Sequence, residues 1–209
     1  MLTHYRIGAY YDSDCEAPGD DLYTIFSFNR RHPTFCHPDK LPYTPAQLAS
    51  LARRGIAHPL HYYEHGGCSW RLKTDPSVPG DTCPWDSCGP NIAGYLIFTC
   101  PVKDLPRTVI ARTRLASACI SAYSSWCNGE CYYVNISVVT DDGAEDFDGC
   151  SGFIGEGAAL SYLTDFIASR KKDGEPFTVT AHSKSAHSEP VLSFDEVLPF
   201  QWSPDHAHA

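Results

Sequence analysis

A chain of 209 residues that is 43% hydrophobic and 12% aromatic can bury a sizeable core and is too apolar to stay disordered, so one folded domain is expected. Its formal charge is −9, with 25 Asp and Glu against 16 Lys and Arg, a balance that disfavours nucleic-acid binding. No run of about 18 apolar residues occurs, and the opening MLTHYRIGAYYDSD holds no apolar leader core. A cytoplasmic protein without a membrane span is therefore expected, and its 10 cysteines are expected as free thiols in a reducing compartment.

Residues 3–11 and 22–28 are aromatic and β-branched and flank a Pro-Gly-Asp-Asp loop, which predicts two strands of an antiparallel pair. Residues 30–42 contain Pro33, Pro38 and Pro42 and are expected to be irregular. Thr44 as cap, Pro45 in the first turn and Arg53-Arg54-Gly55 at the end predict a short helix. Residues 60–65 and 69–72 read as a β-hairpin turning at Gly66-Gly67. A Pro/Gly/Asp-rich loop over 75–90 follows, carrying Cys83-Pro84-Trp85-Asp86, and then a buried strand over 93–99.

The longest helix is predicted over 108–128, with Leu115, Cys119, Ala122 and Trp126 as its apolar stripe and Gly129 as its stop. Residues 131–140 read as a strand ended by Asp141-Asp142-Gly143, and the glycine-rich 149–157 as a tight turn into a helix over 156–171. A strand over 177–181 closes the pattern, followed by a polar Pro/Ser/His-rich extension over 182–209 whose end, from Asp205, is expected to be mobile. The expected fold class is α+β: a single domain over 1–181 with an antiparallel or mixed sheet built from hairpins, two main helices and one short helix.

Charge and candidate chemistry concentrate in a few places. Asp12, Asp14, Glu16, Asp20 and Asp21 form one acidic block and Asp141, Asp142, Glu145, Asp146 and Asp148 another, with no Lys or Arg in either. The ordinary form of such blocks is a pair of solvated loops; the functional form is a surface for a basic protein. Arg30 and Arg31 are expected to pair with the first block, and the remaining arginines are too scattered for nucleic acid. Trp70 and Trp85 either line a binding surface or cover the core.

His61 and His65 fall on one face of a strand, beside His58 and Glu64, and with Cys83 and Cys88 they offer mixed His/Cys ligation for zinc. The Cys-x4-Cys spacing is loose, so no metal is the base expectation. Asp14, Asp21, Glu64, His65 and Asp86 supply the residue types for Mg²⁺ ligation and a general base in a hydrolase or nuclease, yet a loop Asp such as Asp86 more commonly accepts backbone N–H bonds. Cys83 or Cys150 would need a nearby histidine to act as a nucleophile. There is no G-x-S-x-G elbow, P-loop or G-x-G-x-x-G after a strand, which removes support for common hydrolases, NTPases and dinucleotide enzymes.

HPLHYYEHGG, CPWDS and GYLIFT, in that order, resemble the "YDHSG" hairpin and "CPWDSG" loop of a widespread family of uncharacterised phage, prophage and plasmid proteins. Tyr11-Asp12-Ser13-Asp14, Phe28-Asn29-Arg30-Arg31-His32 and Asp148-Gly149-Cys150-Ser151-Gly152 resemble its other segments, so the likeness runs over residues 11–167. Gly66 in place of Ser, Cys88-Gly89 in place of a bare Gly, and Ser151 in place of an aromatic depart from the pattern. The resemblance transfers no catalytic residue. It implies an accessory protein of a mobile element that binds a host protein, in the manner of an anti-CRISPR or anti-restriction factor. On that reading the partner is a host protein, itself nucleic-acid-binding, and the contact residues are Asp12, Asp14, Asp20, Asp21, Trp70, Trp85 and Asp86. The alternative is a small metal-dependent hydrolase or nuclease using Asp86, His65, Glu64 and Asp14.

Overall fold

A computed structural model describes residues 2–19, 21–64, 67–74, 92–181 and 198–202. The chain is α+β, with three α-helices and two sheets, one mixed and one antiparallel, among the described residues. It divides into two compact units, one built from Met1–Glu16 with Gly129–Ala209 and the other from Ala17–Asn128. Each has its own sheet and its own main helix.

In the discontinuous unit the strand order is β7-β6-β1-β8-β9, from β1 (Thr3–Tyr11), β6 (Cys131–Thr140), β7 (Gly143–Ile154), β8 (Phe177–Ala181) and β9 (Phe200–Trp202). β1 lies at the centre, antiparallel to β6 and parallel to β8. Its period-two pattern sends Tyr5, Ile7 and Ala9 to one face, where they join Val134 and Ile136 of β6 and Phe177 and Val179 of β8. Helix α3 (Glu156–Asp173) covers that face with Ala159, Leu163, Phe166 and Ile167. The basic last turn of α3, Arg170 to Lys172, and the left-handed Gly174 (φ 77°) end it.

Residues 3–11 and 22–28 are strands, but they do not pair with each other. β1 joins β6 and β8, whereas β2 (Tyr23–Ser27) joins β5 (Gly94–Phe98) in the other sheet. Two further predicted boundaries change. The 149–157 stretch is strand through Ile154, and the turn into α3 shrinks to Gly155 with φ 81°. Within the expected polar extension, Phe200–Trp202 pairs with Phe177–Val179 as β9.

The contiguous unit is the antiparallel sheet β2-β5-β3-β4, with β3 (Ala57–Glu64) and β4 (Cys68–Leu72) forming the predicted hairpin. Helix α2 (Val109–Cys127) packs on one face against Leu60, Tyr62, Trp70, Leu96 and Phe98. Its buried stripe is Ala116, Cys119, Ile120 and Tyr123, turned by one residue from the predicted Leu115–Ala122–Trp126 line; Cys119 is common to both. Helix α1 (Pro45–Arg53), capped by Thr44 as predicted and closed into a capping box by Gln47, contributes Leu48 to a second cluster with Ala57 and Ile97 on the opposite face. β5 is thus apolar on both faces, which accounts for its continuous GYLIF run. The chain leaves β4 at Leu72 and enters β5 at Gly94, and both residues pair with Leu60 of β3 from opposite sides.

Candidate functional site

The two units differ sharply in charge. The discontinuous unit holds five Lys and Arg against seventeen Asp and Glu, a net −12, and the contiguous unit eleven against eight, a net +3. The acidity of the chain therefore belongs to one unit.

The second acidic block was expected in a loop; its residues lie instead in the turn after β6 and along β7, the edge strand of the mixed sheet. Gly143 to Gly152 are exposed throughout. The β6–β7 register sets Glu145 opposite Val138, Asp146 opposite Ser137 and Asp148 opposite Ile136, with an irregularity that leaves Phe147 as the extra residue. Asp146 accepts a hydrogen bond from Asn135 Nδ2 at 3.1 Å. Phe147 packs edge-on against Tyr5 at 5.3 Å, beneath the Arg170 guanidinium at 5.5 Å, yet remains 46% exposed. The ion pairs among the described residues are His37–Asp39 and Arg170–Asp173, and no acid of β7 takes part in either.

The first block is brought partly to the same strand. Asp12 Oδ2 accepts the Gly152 N–H at 2.8 Å, and Asp12 Oδ1 accepts the Asp14 N–H at 3.1 Å, so this carboxylate pins the far end of β7. Burial first, then Cys15, Asp12 and Glu130, raise the pKa of the Cys131 thiol to about 12, which keeps it uncharged. Asp14 is exposed, and Asp21, also exposed, belongs to the contiguous unit. Within the contiguous unit, Arg30 and Arg31 form no ion pair with Asp21 among the described residues.

Other predicted site residues are placed as follows. Glu64 Oε2 accepts a 2.8 Å bond from Tyr62 Oη, and Asp14 sits in the other unit. His61 and His58 project to opposite faces of β3; His58 Nε2 is 3.1 Å from the Gly55 carbonyl oxygen. No group of three or more His, Cys, Asp or Glu with metal-binding geometry occurs among the described residues. Trp70 is 2% exposed in the core, and Cys150 is exposed on β7. Asp20, His65, Cys83, Trp85, Asp86 and Cys88, and with them the CPWD loop, lie outside the described residues.

A cluster absent from the sequence reading occupies the junction of β4 and α2. Asn128 Oδ1 accepts the Cys68 N–H at 2.6 Å and Asn128 Nδ2 donates to the Cys68 carbonyl at 2.8 Å. Ser124 Oγ likewise accepts the Trp70 N–H at 2.8 Å. These clamps hold the edge of β4 on α2 and bring the Cys68 and Cys127 thiols into hydrogen-bonding contact. His32 stands behind them, its Nε2 3.7 Å from Cys127 Sγ and 3.5 Å from Tyr123 Oη. The 29–34 turn delivers it there: Asn29 Oδ1 accepts the Arg31 N–H, and Ser27 and Thr34 close the loop. Burial lowers the His32 pKa, with nearby Glu64 opposing. Sequence spacing offers no signal for this cluster, because its members are 60 and 95 residues apart. Comparison with protein-family models, with curated proteins and with solved structures finds no match to this chain.

Proposed function

We propose that this chain is a binding protein whose acidic unit docks on a basic surface of a partner protein. One observation carries the reading: β7 is an exposed edge strand with an all-acidic charge set. The outer N–H and C=O groups of an edge strand accept an added strand from a partner. Edges left open in this way are commonly protected by lysine; here Glu145, Asp146 and Asp148 select for Lys or Arg on the incoming segment. Half-exposed Phe147 supplies an apolar anchor amid the charges. The resemblance to proteins of phages and plasmids makes a host protein the partner, and a nucleic-acid-binding defence factor the kind whose basic face such an edge would occlude.

Affinity capture from bacterial lysate at two salt concentrations, with the wild type and with E145Q/D146N/D148N side by side, tests this. A stoichiometric partner that the variant holds about ten-fold or more weakly, and that high salt releases, is expected from three exposed charges. Equal capture by both proteins, or none by the wild type, would overturn it.

A further inference from the structure

The thiols of Cys68 and Cys127 are not used by an acidic docking edge, and their surroundings are built around sulfur. Both are partly exposed and border the same apolar core cluster. The Asn128 clamp fixes the start of β4 against the end of α2, which removes most of the freedom the two side chains would otherwise have. The buried Trp70 Nε1 has no hydrogen-bond partner among the described residues.

The two sulfurs are not equivalent. The Cys127 S–H favours a thiolate on Cys68 against burial, and its pKa is lowered, whereas Cys127 is held strongly in the thiol form. Tyr62 adds little, because its single proton goes to Glu64 at 2.8 Å. His32 serves the second sulfur. Its Nδ1 lies 2.9 Å from Thr34 Oγ1 and 3.3 Å from the Thr34 nitrogen, which orients the ring so that Nε2 faces Cys127 Sγ at 3.7 Å.

We propose that Cys68 and Cys127 are a thiol–disulfide exchange pair, with Cys68 as the attacking thiolate, Cys127 as the resolving thiol and His32 as a positioning residue. Cys68 S⁻ attacks a disulfide R–S–S–R′, forming a Cys68–S–S–R mixed disulfide and releasing R′S⁻. The Cys127 proton passes to R′S⁻, and the Cys127 thiolate, positioned beside His32 Nε2, attacks the Cys68 sulfur and expels RS⁻. Two protein thiols are oxidised by two electrons and one disulfide is reduced to two thiols. The product bond ties β4 to α2, and a dithiol reductant reverses it.

The test equilibrates the reduced full-length protein with glutathione and glutathione disulfide, blocks the remaining thiols and maps the peptides by mass spectrometry. A Cys68–Cys127 cross-link should form at oxidant ratios that leave Cys119 and Cys131 as thiols. Cys127→Ser should instead accumulate a glutathione adduct at Cys68, at least ten-fold faster than at exposed Cys150. His32→Gln should leave adduct formation unchanged and slow closure to the disulfide about ten-fold, a split that a general loss of structure would not produce. Recovery of Cys68 and Cys127 as free thiols, or a Cys68 adduct no faster than that at Cys150, would overturn the proposal.

Discussion

Acidification should weaken the antiparallel unit through two buried histidines. His32 and His58 are 8% and 6% exposed. Burial lowers both pKa values, against the opposing pull of Glu64 on His32 and of the Gly55 carbonyl on His58. In the unfolded chain each imidazole takes up a proton near pH 6.5, whereas the folded unit resists it until lower pH. The unfolded state therefore binds more protons below that point, and stability present above pH 6.5 is lost as the pH falls through it. A histidine kept neutral throughout contributes at most about 1.4 kcal/mol of loss between pH 7.5 and 5.5, so the pair sets a ceiling of about 3 kcal/mol. His61, lowered by burial and by Lys73, adds in the same direction with less weight because it is more exposed. Urea unfolding followed by tryptophan fluorescence at the two pH values measures the effect. The midpoint should drop at pH 5.5, and about half of the drop should vanish in His58→Gln, which keeps a donor for the Gly55 carbonyl but cannot titrate. An unchanged or higher midpoint at pH 5.5, or an undiminished drop in the variant, would refute the reasoning.

Two substitutions test how the contiguous unit is held. Gly94→Ala places a Cβ 2.2 Å from the Phe26 carbonyl oxygen, a backbone atom across the β2–β5 ladder, and should cost at least the 1–3 kcal/mol typical of overpacking, read as a lowered thermal midpoint. Asn128→Ala removes both bonds to the Cys68 backbone; since water reaches these exposed groups the loss should be about 1–2 kcal/mol, with faster amide exchange at Cys68 and Trp70 as its local signature.

The elements themselves were largely written in local sequence. The Thr44–Gln47 capping box, the Arg53-Arg54-Gly55 stop, the β3–β4 hairpin and the α3 face of Leu163, Phe166 and Ile167 follow from nearest-neighbour chemistry, and the structure has them. Pairing was not legible: β1 and β2 look alike as strands, but β1 finds its partners beyond residue 130, a choice no short window contains. β7 escaped because GAEDFDGCSGFI has no apolar alternation; its conformation is imposed by the ladder to β6, and an edge strand exposed on its length needs no buried face. The stripe of α2 was misplaced by one residue because Leu115 and Trp126 outweigh Ala116 and Tyr123 in hydrophobicity, while the sheet selects the smaller Ala116 for close approach. Of the candidate residues, the acidic blocks were readable as charge, though not as a strand edge. His32, Cys68 and Cys127 were unreadable as a group, since only the fold brings them together.

The acidic edge is the central claim, and hydrogen–deuterium exchange of the full chain, free and in complex with the captured partner, tests it most directly. Added-strand docking predicts new protection of the outward amides of Gly143–Ile154, a complex about ten-fold or more weaker with E145Q/D146N/D148N, and little change at β3 or β5. A stable complex that leaves β7 exchange unaltered would contradict it.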